Sequence, residues 1–159
     1  MPATFTKFPS CITGPFAEVA LPGPTVDWEV ELVAIVGRTA RHVREADAWA
    51  HIAGLTIGQD ISERTTQMAA GRQFSLGKSF PNFGPTGPWL VTLDEFANPN
   101  DLALGCSVNG EVMQSSNTND LVFDVATLIA YYSQFYQLMP GDIITTGSPS
   151  GVGYGMKPK

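Results

Sequence analysis

Apolar and polar positions alternate, then run continuously, across VDWEVELVAIVG at residues 26 to 37. That pattern predicts a strand over 28 to 36, polar-marked at its start and apolar on both faces after Leu32, as a buried strand should be. Downstream, VREADAWAHIAGL (43 to 55) has a helical spacing, with Val43, Ala46, Trp49/Ala50 and Ala53 on one face. GQDISERTTQMAAGRQ breaks that period and reads as loop with short helical pieces. A strand is predicted at WLVTL, and Asn109-Gly110 between alternating residues is a type I′ hairpin signal. A helix follows over 121 to 137, capped by Thr118 or Asn119, with Leu121, Val125, Leu128, Ile129, Tyr132 and Phe135 on its apolar face. Pro140-Gly141-Asp142 ends it and opens strand IITTG. Residues 1 to 25 hold Pro2, Pro9, Pro15, Pro22 and Pro24, so that arm is extended. Strands outnumber helices, which makes this a β-rich α+β domain built from hairpins.

Composition narrows the function. Hydrophobic residues make up 43% of the 159, enough for a buried core in one domain. A net charge of -6 argues against a nucleic-acid partner, yet admits a small anionic substrate if a bound cation reverses the local sign. No run of apolar residues is long enough to span a membrane. Two cysteines, Cys11 and Cys106, do not make a disulfide framework, and with no signal-like start the expected setting is a reducing, cytoplasmic one.

Glu29 and Glu31 stand out against that background. Side chains alternate along a strand, so both point to one face, about 7 Å apart at the Cα. An ordinary amphipathic strand would carry them as a solvated acidic face. Burial, which the apolar continuation favours, would force two like charges together unless a cation compensates. Carboxylate ligands suit Mg²⁺, with Mn²⁺ or Ca²⁺ as alternatives, and the positions of His42, His51 and the cysteines make a zinc-type site unlikely. Asp60 is the candidate third acid; a lone Asp is more often a cap or turn residue.

VDWEVELVAIVG, GQDISERTTQ, GRQFSLGKSFPNFGPTGPWLVT and GDIITTGSPSGVG, taken in that order, resemble the fumarylacetoacetate hydrolase family over residues 5 to 153. The resemblance implies a fumarylacetoacetase C-terminal-like fold, a mixed β-sandwich or roll with a few short helices, occupying 1–159 as one catalytic domain. It implies a divalent metal, usually Mg²⁺, on Glu29, Glu31 and Asp60, polarising a 1,3-dicarbonyl or 2-oxo acid where an enolate develops. Arg64, Gln67 and Lys78 would be catalytic and substrate-binding residues, and Ser148 would help hold the substrate carboxylate. The plain alternatives are Arg64 paired with Glu63 or Asp60, Lys78 as a solvated loop charge, and GSPSG as a turn.

C–C hydrolysis of an acylpyruvate-like acid is the main expectation. Decarboxylation of an oxaloacetate-like acid, or isomerisation of a 2-oxo diacid, would use the same scaffold, and a noncatalytic metal-binding member is the reading from another class. Family members commonly form homodimers. They also carry an N-Y-x-x-H-x-x-E segment whose His and Glu activate water, and a further last strand. Neither has a match here, so the expectation is either that these residues are a piece of a longer chain or that this member has lost the dyad.

Overall fold

The computed structural model describes residues 1–69, 71 and 73–156, leaving Ala70 and Arg72 of the loop segment and the terminal KPK outside the described residues. Among the described residues nine strands form: β1 Ile12–Thr13, β2 Val26–Asp27, β3 Val30–Val36, β4 Ile52–Gln59, β5 Ser62–Glu63, β6 Gly84–Val91, β7 Ala103–Val108, β8 Glu111–Asn117 and β9 Ile143–Thr145. The α-helices are α1, Arg64–Ala69, and α2, Val125–Phe135. Strands order as β1-β6-β4-β3-β9 in a mixed sheet, beside the pairs β2-β5 and β7-β8. Only the β1–β6 pairing in the large sheet is parallel. The β-rich α+β expectation holds.

β3 is the spine. It pairs with β4 on one side and β9 on the other, so its backbone groups are satisfied in the interior. Leu32, Ala34 and Val36 pack with Val125, Leu128 and Ile129 of α2 in the main core. Their alternates Glu31, Val33 and Ile35 project to the other face of the pleat. At the tip of the β7–β8 hairpin, Asn109 and Gly110 have φ of 52° and 86°, the left-handed pair that a type I′ turn requires.

Two predicted helices are shorter than their apolar spacing suggested. Over 43 to 55, only Glu45–His51 is helical, as a 3-10 turn, and Ile52 already begins β4. Its buried residue is Ala48, whereas Ala46 and Ala50 face solvent. The ladder decides the outcome: Ile52 to Gln59 pair with β3 and partly with β6, and a Cβ on Gly54 would fall 2.3 Å from the Val91 carbonyl oxygen. Helix α2 starts at Val125 rather than 121, because Asp124 Oδ1 accepts the Thr127 N–H at 2.8 Å and caps it. Thr118 and Asn119 belong to a separate 3-10 turn capped by Asn117, and Phe135 is exposed. The predicted WLVTL strand begins earlier, at Gly84, and stops at Val91.

Candidate active site

The β3–β4 register builds the acidic cluster. Val30 pairs with Gln59 and Glu31 with Gly58, and the Asp60 N–H donates to the Glu29 carbonyl at 2.9 Å. Glu29 sits just ahead of β3 and Asp60 just past β4, so antiparallel pairing carries all three acids to one end of the sheet. One carboxylate oxygen from each of Glu29, Glu31 and Asp60 lies within 4.8 Å of the others. Glu31 and Asp60 are buried, and Glu29 nearly so.

Charge is balanced only in part. Lys78 Nζ donates to Glu29 Oε2 at 2.7 Å and also to Asp60 Oδ2. Lys7, from the amino-terminal arm, donates to Asp60 Oδ1 at 2.8 Å and to the Lys78 carbonyl. Arg64 reaches Glu29 Oε1 at 2.6 Å and Asp27 Oδ2 through both Nε (2.9 Å) and an Nη (2.6 Å). Among the described residues, three cations thus face four carboxylates, and Glu31 is the acid that no ammonium or guanidinium bonds. Burial, followed by the charge on Asp60, pushes its carboxyl up to about 8, against the pull of the Gly147 N–H. Three converging hard oxygen donors, one of them a buried acid without a cationic partner among the described residues, fit a divalent cation of the Mg²⁺ type.

The cluster forms the floor of a cavity of about 780 Å³. Glu29, Glu31, Asp60, Gln67, Lys78 and Ser148 line it, with Pro2–Phe5, Phe74, Val122 and Phe123 among its walls. The Phe5 ring centroid is 4.7 Å from Lys78 Nζ, a cation–π contact that covers the ammonium on one side. The arm is held there by the Phe8 N–H donating to Ser79 Oγ at 3.0 Å and by Lys7.

Of the residues singled out in the sequence, six meet at the cavity and Arg64 does not. Its guanidinium lies behind Glu29, held by Asp27 and Glu29 and bonding Gln67 Oε1 at 2.9 Å. It pairs with neither Glu63 nor Asp60. Glu63 instead takes hydrogen bonds from Thr25, Thr65 and Thr66, which overcome burial and lower its carboxyl to about 2. Both histidines lie elsewhere: His51 Nδ1 is 2.9 Å from the Thr39 carbonyl and His42 Nδ1 3.3 Å from Gln134 Oε1.

Three supporting residues escaped the sequence reading. Asp27 anchors Arg64 and accepts the Gly153 and Tyr154 N–H groups at 2.6 and 2.9 Å. Its place two residues before Glu29 was a signal, since D-x-E-x-E continues the alternation. Gln114 is buried, accepts the Val30 N–H at 2.9 Å, and donates to Ser148 Oγ at 2.8 Å and the Pro149 carbonyl at 2.9 Å. Lys7 is the third. Nothing local in sequence marks Gln114 or Lys7, because their partners are supplied by the fold.

Strand order, register and a carboxylate cluster at the sheet's end define a β-rich, acidic-site domain of the kind expected of metal-assisted chemistry on small acids. The chain belongs to the fumarylacetoacetate hydrolase family, whose C-terminal domain model matches residues 1–159. It is 51% identical over 160 residues to the mitochondrial oxaloacetate tautomerase FAHD2A of Homo sapiens, across 99% of this chain and 51% of that protein. It is 46% identical over 160 residues to 2,4-didehydro-3-deoxy-L-rhamnonate hydrolase of Sphingomonas sp. (strain SKA58), across 99% of this chain and 56% of that one. Among solved structures it matches the fumarylacetoacetate hydrolase of psychrophilic Exiguobacterium antarcticum with a TM-score of 0.92 and 41% identity, over 97% of this chain and 56% of that one. The chain therefore spans about half the length of the curated relatives it matches. No helix among the described residues is long and apolar enough to cross a membrane.

Proposed function

We propose that residues 1–159 form the catalytic domain of a Mg²⁺-dependent enzyme that acts on a 2-oxo dicarboxylic acid through its enol or enolate, with keto–enol conversion of an oxaloacetate-like acid as the first reading. The observation that carries it is the convergence of Glu29, Glu31 and Asp60 around Lys78 on the floor of an otherwise partly apolar cavity. Half-length similarity to a tautomerase supports the choice of reaction. Glu29, Glu31 and Asp60 would hold the ion, which supplies a Lewis acid where a substrate oxygen gains negative charge.

The protein's own groups then have distinct tasks. Lys78 has three N–H donors, two of which go to Glu29 and Asp60 in this structure; with the ion on those carboxylates the ammonium would turn to a substrate oxygen. The Gln67 carbonyl is taken by Arg64, so its NH₂ is the end left for substrate. Ser148 Oγ accepts from Gln114, which leaves its O–H to donate to a substrate carboxylate. Arg64 works at one remove, fixing Glu29 and Gln67. The arm at Pro2–Phe5 and Phe74 screen the charged floor from water.

C–C hydrolysis of an acylpyruvate-like acid is the second reading, supported by the 46% identity to the rhamnonate-derivative hydrolase. The free thiols of Cys11 and Cys106 fit a reducing compartment such as the cytoplasm. Exposed Ile57, Trp89 and Leu90 on the neighbouring strands β4 and β6 support a homodimer. The deciding experiment follows enol loss from oxaloacetate, pyruvate release, and acylpyruvate cleavage, each with Mg²⁺ and with EDTA. Fast Mg²⁺-dependent enol loss without pyruvate supports tautomerisation. Acylpyruvate cleavage alone replaces it with hydrolysis, and metal binding without any turnover makes the domain a noncatalytic binder.

A further inference from the structure

Each of the three clustered carboxylates has one oxygen held by a donor other than Lys78. Arg64 Nη2 takes Glu29 Oε1 at 2.6 Å, the Gly147 N–H takes Glu31 Oε2 at 2.7 Å, and Lys7 Nζ takes Asp60 Oδ1 at 2.8 Å. The oxygens left over are Glu29 Oε2, Glu31 Oε1 and Asp60 Oδ2, and Lys78 bridges the first and last of them. The three holding groups come from α1, from the turn after β9, and from the extended arm, so they are set independently of one another.

A carboxylate oxygen that accepts a charge-assisted hydrogen bond is a weaker metal ligand than its partner, which biases the group toward one-oxygen coordination. Mg²⁺ is small, prefers six ligands near about 2.1 Å and takes carboxylates singly, whereas Ca²⁺ takes six to eight and gains from bidentate ones. Resting on the metal-site reading above, we propose that Lys7 is a specificity-determining residue: by holding Asp60 Oδ1 it keeps Asp60 monodentate and sets the preference of this site for Mg²⁺ over Ca²⁺. Lys7 suits the task because its side chain is buried and fixed at several points. Its ammonium also donates to the Lys78 carbonyl and lies 3.4 Å from the Ile61 carbonyl, and its neighbour Thr6 meets Ser75 Oγ at 3.3 Å through its N–H. Asp60 is the ligand where release would matter most. Glu29 is held by a guanidinium locked on Asp27, and Glu31 by a backbone amide, neither of which a side chain on the arm can move.

Calorimetric titration of the purified protein with MgCl₂ and with CaCl₂ tests this. Lys7→Met removes the donor and one positive charge while keeping the stem. Both ions should bind more tightly for the charge, but Ca²⁺ should gain about tenfold or more over Mg²⁺. Lys7→Arg keeps a donor and should leave the Mg²⁺/Ca²⁺ ratio within about threefold of wild type. A ratio unchanged in Lys7→Met, with both affinities moved by one common factor, overturns the proposal. So does a collapsed ratio in Lys7→Arg whose melting curve matches wild type. Glu31→Gln separates the two layers: if it binds both ions like wild type, the metal site lies elsewhere, and the role of Lys7 falls with that reading.

Discussion

Lowering the pH from 8 to 6 should weaken metal binding about fiftyfold, and the cause is one carboxyl group. Glu31 is held up at about 8 by burial and then by the neighbouring charges of Asp60 and Glu29, against the Gly147 N–H and Lys78. In the metal-free fold it is therefore mostly protonated at pH 6 to 7. A cation needs it ionised, so well below pH 8 each unit costs about tenfold in apparent affinity, or about 1.4 kcal/mol. From pH 8, where half is already ionised, to pH 6 the loss is about 2.3 kcal/mol. The linkage has a second consequence of opposite sign for the metal-free protein. A raised carboxyl stabilises the fold fully below its unfolded value, 4.5, and that contribution is lost as pH rises through about 8. Metal-free wild type should thus lose stability relative to Glu31→Gln between pH 5 and 8, while the metal-loaded protein gains it. Isothermal titration at pH 6, 7 and 8, in two buffers of different ionisation enthalpy, reads both affinity and proton release. About one proton should leave per ion near pH 6. Affinity that is flat from pH 6 to 8, with no proton released, would refute the argument.

Other perturbations probe the supports. Lys78→Met should lower turnover about 10²- to 10³-fold, as loss of one preorganised charge contact does, while metal affinity holds or rises because a competing ammonium has gone; turnover within a few-fold of wild type would remove Lys78 from the reaction. Asp27→Asn leaves Arg64 and two backbone N–H groups short of an anion, and should cost about 3 kcal/mol or more in denaturant unfolding. Gln114→Leu strands the Val30 N–H and the Ser148–Pro149 turn, for a loss of about 2–4 kcal/mol, and should slacken the Gly147 contact to Glu31, seen as weaker metal binding.

How much of this could be read from the chain depended on whether the signal was local. The apolar run of β3, the Asn109-Gly110 turn and strand IITTG all carry their own chemistry; each forms, though β3 starts at Val30 rather than 28 and β9 stops at Thr145. Glu29 and Glu31 were legible as a pair because alternation is a local rule, and Asp60 because it breaks a regular pattern. The helix over 43 to 55 failed because Ile52–Ala–Gly–Leu suits either period, and pairing with β3 decides in favour of strand. Arg64 was identified as a site residue, but its direction depends on Asp27, 37 residues away. Lys7 and Asp60 are 53 apart, and Gln114 and Val30 are 84 apart. Contacts of that kind exist only once the sheet has closed, and no spacing along the chain announces them.

The central claim is that one hard cation sits among Glu29, Glu31 and Asp60. Crystals soaked in MnCl₂ and measured at the manganese absorption edge test it without reference to any substrate. A single strong anomalous peak is expected within about 2.1–2.3 Å of one oxygen from each of these three residues, with Lys78 displaced from its bridge between Glu29 and Asp60. A peak bound by other side chains, or none at the floor of the cavity while Lys78 keeps both contacts, would contradict it.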